Sequence, residues 1–99
     1  MGKIYTIDEI KHLVAPLLEK YGASGASLFG SYARGEATAD SDLDVIVRGG
    51  SAFYMTDIFA IAEDLHEASG KRVDVYEESE IDTSTEFGKR VAADRQVLL

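Results

Sequence analysis

Gly30-Ser31-Tyr32-Ala33-Arg34-Gly35, followed by Ser41-Asp42-Leu43-Asp44-Val45-Ile46-Val47, decides how this 99-residue chain is read. The second stretch opens polar and closes as a β-branched run, which predicts a strand from Asp42 to Val47. Side chains alternate faces along a strand, so Asp42 and Asp44 point the same way and Leu43 points to the opposite face. Upstream, a short apolar strand from about Ala26 to Phe29 runs into Gly30-Ser31. Glycine lets backbone approach a ligand closely and takes positive φ without steric cost. The residues after it tolerate helix, which places Ser31 at a helix start.

These two features belong to one chemistry. Two like charges at neighbouring same-face positions repel, and one protonates unless a cation compensates. Magnesium takes a few carboxylates and otherwise keeps water and phosphate oxygens. A helix start offers free N–H groups to phosphate. Asp42 and Asp44 therefore read as a site for paired magnesium ions, and Gly30-Ser31 as a cradle for a nucleoside triphosphate. Arg34, one helical turn on, either neutralises phosphate charge or fixes the turn through Asp40 or Asp42. Lys71-Arg72-Val73-Asp74-Val75-Tyr76 is a second β-branched run with an acid inside it. If it lies beside the Asp42 strand, Asp74 completes a three-carboxylate cluster that binds metal or takes a proton from an attacking hydroxyl. The plainer reading of Asp74 is an ion pair with Lys71 or Arg72.

The flanking sequence predicts an α/β (α+β) domain. Thr6-Ile7-Asp8-Glu9 reads as a capping box. Ile7, Ile10, Leu13, Val14, Leu17, Leu18 and Tyr21 then repeat with helical period, and Gly22 is the expected C-cap. Pro16 inside this helix should bend or split it. Arg48-Gly49-Gly50-Ser51 is a loop. A helix follows from about Met55 to Ala68, with Ile58, Phe59, Ile61, Ala62 and Leu65 facing inward, and Gly70 stops it. Glu77-Glu78-Ser79-Glu80 is an acidic connector. Asp82 or Thr83 caps a last helix through about Ala92, and Gln96–Leu99 adds a short strand. The expected architecture is one domain over residues 1–99, a small mixed sheet with helices packed on one side and the three aspartates on the open side. Tyr32 either stacks on a base, contacts an acceptor or packs. Phe53 and Tyr54 cover the core edge or meet a partner. His12 reads as a surface residue, and His66 as one that meets free carbonyls at a helix end.

Composition narrows the partners. The net charge of −8 argues against direct nucleic-acid binding, which needs a basic surface. The same acidity suits a basic protein partner, or serves solubility alone. No apolar run reaches the roughly 18–20 residues needed to span a membrane. There is no secretory signal pattern, so the cytoplasm is the default. With zero cysteines there is neither a disulfide framework nor a thiolate metal site.

The spacing from Gly30-Ser31 to Asp42-x-Asp44, with Asp74 beyond, resembles the signature of the polymerase-beta-type nucleotidyltransferase superfamily. More closely, the chain resembles its minimal nucleotidyltransferases (MNT) over nearly its whole length. The resemblance implies a palm-like fold and transfer of AMP from ATP, with two Mg2+ ions, to a hydroxyl. It implies Asp42, Asp44 and Asp74 as catalytic and metal ligands, and Gly30, Ser31 and Arg34 as nucleotide ligands. Many minimal members act as antitoxin to a HEPN ribonuclease toxin, adenylylating one of its tyrosines within a hetero-oligomer. A non-catalytic antitoxin that only covers its partner is the alternative, and a transferase for a small molecule a third. A chain of this size has no added domain to grip a second substrate, which makes a protein acceptor the economical expectation.

Overall fold

The computed structural model describes residues 2–99. Helix α1, Ile7–Tyr21, starts as its sequence predicts. The Thr6 hydroxyl accepts the Glu9 N–H at 3.0 Å, and the Glu9 carboxylate accepts the Thr6 N–H at 2.9 Å. Such a box stabilises a helix by about 1 kcal/mol. Ile10, Val14 and Leu18 are buried at four-residue intervals, and Gly22 closes the helix in the left-handed conformation. Of the bend or split expected at Pro16, the split does not occur, and the helix runs through it as one element. Pro16 lies on the exposed face, so its ring meets water, and Val14 and Leu18 on either side of it are buried.

Four strands follow: β1 Ala23–Phe29, β2 Leu43–Gly49, β3 Val73–Glu77 and β4 Gln96–Val97. They form a mixed sheet in the order β3-β2-β1-β4. β1 pairs antiparallel with β2 and β4, while β2 and β3 are parallel. A parallel pair needs a crossover, and helix α3, Asp57–Ser69, supplies it. Between β1 and β2 lies α2, a single turn over Gly30–Ala33. Helix α4, Glu86–Asp94, precedes β4.

The long helices α1 and α3 pack on one face of the sheet, burying Ala26, Leu28, Leu43, Val45 and Val47 beneath them. Helix α4 departs from that arrangement. On the other face, Phe29 and Ile46 form a second small core with Val91 of α4, flanked by Tyr76, Ile81 and Phe87. The reason is alternation: Phe29 and Ile46 project to the face expected to be open, and a helix must cover them. Phe29, Tyr76 and Phe87 meet as three mutually tilted rings, with centroids 5.3–5.8 Å apart. Arg95 locks the edge of this layer, donating to both Glu78 carboxylate oxygens at 2.6 Å and to the Ser27 hydroxyl at 3.0 Å.

Several local expectations change. Ile58, Ile61 and Leu65 of α3 are buried, but Phe59 is 71% exposed. The stripe at i, i+3 and i+7 already fills the contact with the sheet, and Phe59 lies to its side. Helix α4 is capped by Thr85, whose hydroxyl accepts the Gly88 N–H at 3.0 Å. Neither Asp82 nor Thr83 takes that role, since the Asp82 carboxylate is engaged by Ser84. The residue pair after the glycine loop divides, Phe53 packing against the core and Tyr54 standing exposed. Tyr32 is buried in the main core, so it packs. His12 is exposed, and the His66 ring bonds the Lys71 carbonyl just beyond its helix.

Candidate active site

The sheet register assembles the acids. Because β1 and β2 are antiparallel, the end of β1 meets the start of β2, and Phe29 is the register partner of Asp44. This brings the following residue, Gly30, against the Asp44 side chain. Gly30 has φ +75°, and a Cβ built there would lie 2.5 Å from Asp44 Oδ2. Both the backbone conformation and the space therefore demand glycine. On the other side of β2, the parallel register pairs Asp44 with Asp74. In-register neighbours project from the same face, so these two acids stand side by side. Asp42 lies one residue before β2, where the Leu43 N–H still bonds the Arg72 carbonyl at 2.9 Å.

The electrostatics carry the mark of that grouping. Asp44 is pushed up to about 6, first by burial and then by the charges of Asp74 and Asp42, against a smaller opposing effect of Arg34. The Tyr76 phenol on the same face is also raised, by burial and then by Asp74 and Asp44. The plainer reading of Asp74 does not hold: Lys71 donates to the Ala39 carbonyl at 2.7 Å instead, and Arg72 lies 4.0 Å from Asp42. That Arg72–Asp42 pair is wide and exposed, and contributes little.

Among the described residues, no three carboxylate, imidazole or thiol groups converge tightly enough to enclose a metal by themselves. Bare carboxylates repel, and magnesium draws most of its ligands from water and phosphate. The donor set of Asp42 and Asp44, one of them held in an environment that disfavours its charge, fits a hard divalent cation brought with a polyphosphate.

The turn at Gly30-Ser31 opens α2 where expected. A single helical turn has little macrodipole, so anion binding here rests on individual donors. Ser31 is half-buried at this corner. Arg34 is not tied to Asp40 or Asp42. Its guanidinium donates to Glu36 at 2.7 Å and to Asp94 of α4 at 2.6 Å. A cleft of about 200 Å3 opens between α2 and α4, with Gly30, Arg34, Phe87, Arg90 and Asp94 on its walls. The α4 side of this cleft was not assigned from sequence. The spacing of Phe87, Arg90, Val91 and Asp94 marks one helical stripe, but spacing does not say which face of the sheet the stripe covers.

A four-stranded mixed sheet that gathers strand acids beside a Gly-Ser turn is the arrangement that the resemblance to nucleotidyltransferases implies. The nucleotidyltransferase domain family matches residues 10–98, and the chain belongs to it. A Methanocaldococcus jannaschii relative, provisionally named a protein adenylyltransferase, is 44% identical over 69 residues, covering 70% of this chain and 74% of its own. The protein adenylyltransferase MntA of Thermococcus cleftensis is 32% identical over 80 residues, covering 77% of this chain and 81% of its own. Among solved structures, one provisionally described as a minimal nucleotidyltransferase superposes with a TM-score of 0.74 at 28% identity, covering 96% and 98% of the two chains. The structure of a tri-AMPylated Shewanella oneidensis HEPN toxin with its MNT antitoxin matches with a TM-score of 0.70 at 19% identity, over 95% and 72%; at that identity it supports the fold. The chain is thus a nucleotidyltransferase-domain protein with the fold of those neighbours. No helix among the described residues is long and apolar enough to cross a membrane.

Proposed function

We propose that this nucleotidyltransferase moves AMP from ATP to a hydroxyl, a tyrosine in our reading, of a HEPN-type toxin protein, and so acts as its antitoxin. The observation that carries the proposal is the side-by-side placement of Asp44 and Asp74 beside Gly30, with Asp44 held near pH 6 by burial and by its acidic neighbours. A domain that only covered a partner would gain nothing from such a cost. The relatives named as protein adenylyltransferases support a protein acceptor.

In this reading Asp42 and Asp44 hold Mg2+, with Asp74 as a third carboxylate. Bound magnesium supplies charge neutralisation at the phosphates. Ser31 and the free amides of α2 donate to phosphate oxygens. Asp74, exposed at the sheet edge, accepts the proton of the incoming hydroxyl in this reading. The hydroxyl oxygen bonds to the α-phosphorus, the bond from that phosphorus to the bridging oxygen breaks, and pyrophosphate departs. Positioning and charge placement provide most of the acceleration. Arg34 contributes to phosphate binding only as far as it leaves Glu36 and Asp94.

The test is pyrophosphate release from ATP in the presence of Mg2+ and the partner protein. Release that needs the partner and vanishes in Asp42→Asn and Asp44→Asn is expected. Near-normal release by either variant would remove the two-carboxylate assignment.

A further inference from the structure

We infer that the free edge of β3 receives the acceptor protein as an added strand, an extended, basic segment whose hydroxyl residue lies in register with Asp74. The inference rests on the transfer reading above and says where, and in what conformation, the acceptor docks.

The sheet leaves this edge open. β3 is the outermost strand in the order β3-β2-β1-β4. Along a strand, successive residues turn their N–H and C=O groups to opposite sides. The Arg72 carbonyl bonds the Leu43 N–H of β2, so Asp74 and Tyr76 face β2 as well, and Val73, Val75 and Glu77 face outward. The Glu77 N–H is closed by the Glu80 carboxylate at 2.9 Å. Among the described residues, no group bonds the outward N–H or C=O of Val73 or Val75. β3 also carries no proline, lysine or bulge, the devices that blunt such an edge. Four backbone groups in a row are thus ready for an extended chain.

Direction and charge select the occupant. In an in-line displacement the entering oxygen stands opposite the leaving one. Gly30 and Asp74 flank Asp44 on opposite sides, Gly30 after the end of β1 and Asp74 on β3. With phosphate held at the Gly30-Ser31 turn, the hydroxyl enters from the β3 side. A strand paired with β3 sends alternate side chains to the Asp74 face, so a hydroxyl residue in register with Asp74 meets the acids. Its remaining side chains lie beside Val73 and Val75, which pack against the main core. The exposed Asp74 and the net charge of −8 favour cationic side chains on either side of the hydroxyl. The same charge disfavours a second copy of this chain. Two β3 edges paired together set their Asp74 carboxylates on adjoining strands, where like charges repel.

The probe is a short peptide that alternates lysine and valine, with tyrosine at one central lysine position. Amide exchange of the isotope-labelled chain is followed by NMR, without nucleotide. The Val73 and Val75 amides should slow by about fivefold or more, the net worth of one hydrogen bond, while Asp74 and Tyr76 stay unchanged. Two backbone-methylated peptides, each lacking every second N–H, should differ. The set that faces β3 should lose about tenfold or more in affinity, and the set that faces water should bind as before. With ATP and Mg2+ the tyrosine should gain AMP, with the methylated forms in the same order. Exchange at Val73 and Val75 that stays unchanged would overturn the inference, whether or not the tyrosine gains AMP, and so would an equal loss with both methylated forms. Slowing at these amides on concentrating the chain alone would overturn it by giving the edge to a second copy. A paired peptide that gains no AMP, while the partner assay above releases pyrophosphate, would overturn the acceptor assignment. No release in that assay would instead overturn the transfer reading on which the inference rests.

Discussion

Asp44→Asn should make the ligand-free protein more stable while destroying transfer. The carboxylate has an ordinary value of 3.8 and stands at about 6 in the fold, because burial and two neighbouring acids disfavour its charge. A displacement of that size corresponds to about 3 kcal/mol between the protonation states. Solvent screening, and the need to seat an amide in the same place, reduce the recoverable part to about 1–2 kcal/mol. For a domain of this length that is a rise in Tm of roughly 5–10 °C. The sign follows from linkage. Between pH 3.8 and about 6 the folded chain holds a proton that the unfolded chain has lost. Wild-type stability therefore falls as pH rises through that window, and the penalty stays constant above it. Asparagine has no such contribution. The difference in Tm between variant and wild type should be near zero at pH 4, grow to pH 6 and then level off. Differential scanning fluorimetry across that range measures it. A variant that melts at or below wild type at pH 7.5, or a difference that does not change with pH, would refute the claim that clustered acids strain this site.

The other predictions concern the parts that build the site. Gly30→Ala should lose nucleotide binding, and roughly 1–3 kcal/mol of stability, because its methyl meets Asp44 Oδ2 at 2.5 Å in a left-handed backbone; titration and thermal melts read the two losses separately. Thr85→Ala removes the cap of α4 and should cost about 1 kcal/mol, seen as a lower Tm. Affinity for Mg2+ with the triphosphate should fall as pH drops through about 6, since Asp44 then binds a proton instead; titration at pH 5 and pH 7.5 checks this, and equal affinities would count against Asp44 as a ligand.

The site was legible in sequence where its chemistry is local. Asp42 and Asp44 are two residues apart, and alternation predicts them on one face, although β2 begins only at Leu43. The capping box and Gly22 likewise depend on neighbours along the chain. Asp74 was legible as an acid inside an apolar run, but its place beside Asp44 depended on strand order. What sequence could not supply was contact between distant elements. Arg34 reads as a phosphate ligand or a partner of Asp40 or Asp42 until Asp94, on a helix sixty residues later, is seen to hold it. Phe59 fits an inward stripe by hydrophobicity, and only the sheet contact of Ile58, Ile61 and Leu65 shows it standing outside. Pro16 does not split its helix because burial of Ile10, Val14 and Leu18 outweighs one missing hydrogen bond. Helix α4 crosses to the second face because Phe29 and Ile46 need covering there, a demand visible only once the register is known.

Intact-mass measurement of the HEPN-type partner protein, after incubation with this chain, ATP and Mg2+, tests the central claim most directly. The partner should gain the mass of one or more AMP units with wild type and none with Asp44→Asn. A partner that is neutralised yet unchanged in mass, or that gains AMP equally with the variant, would contradict it.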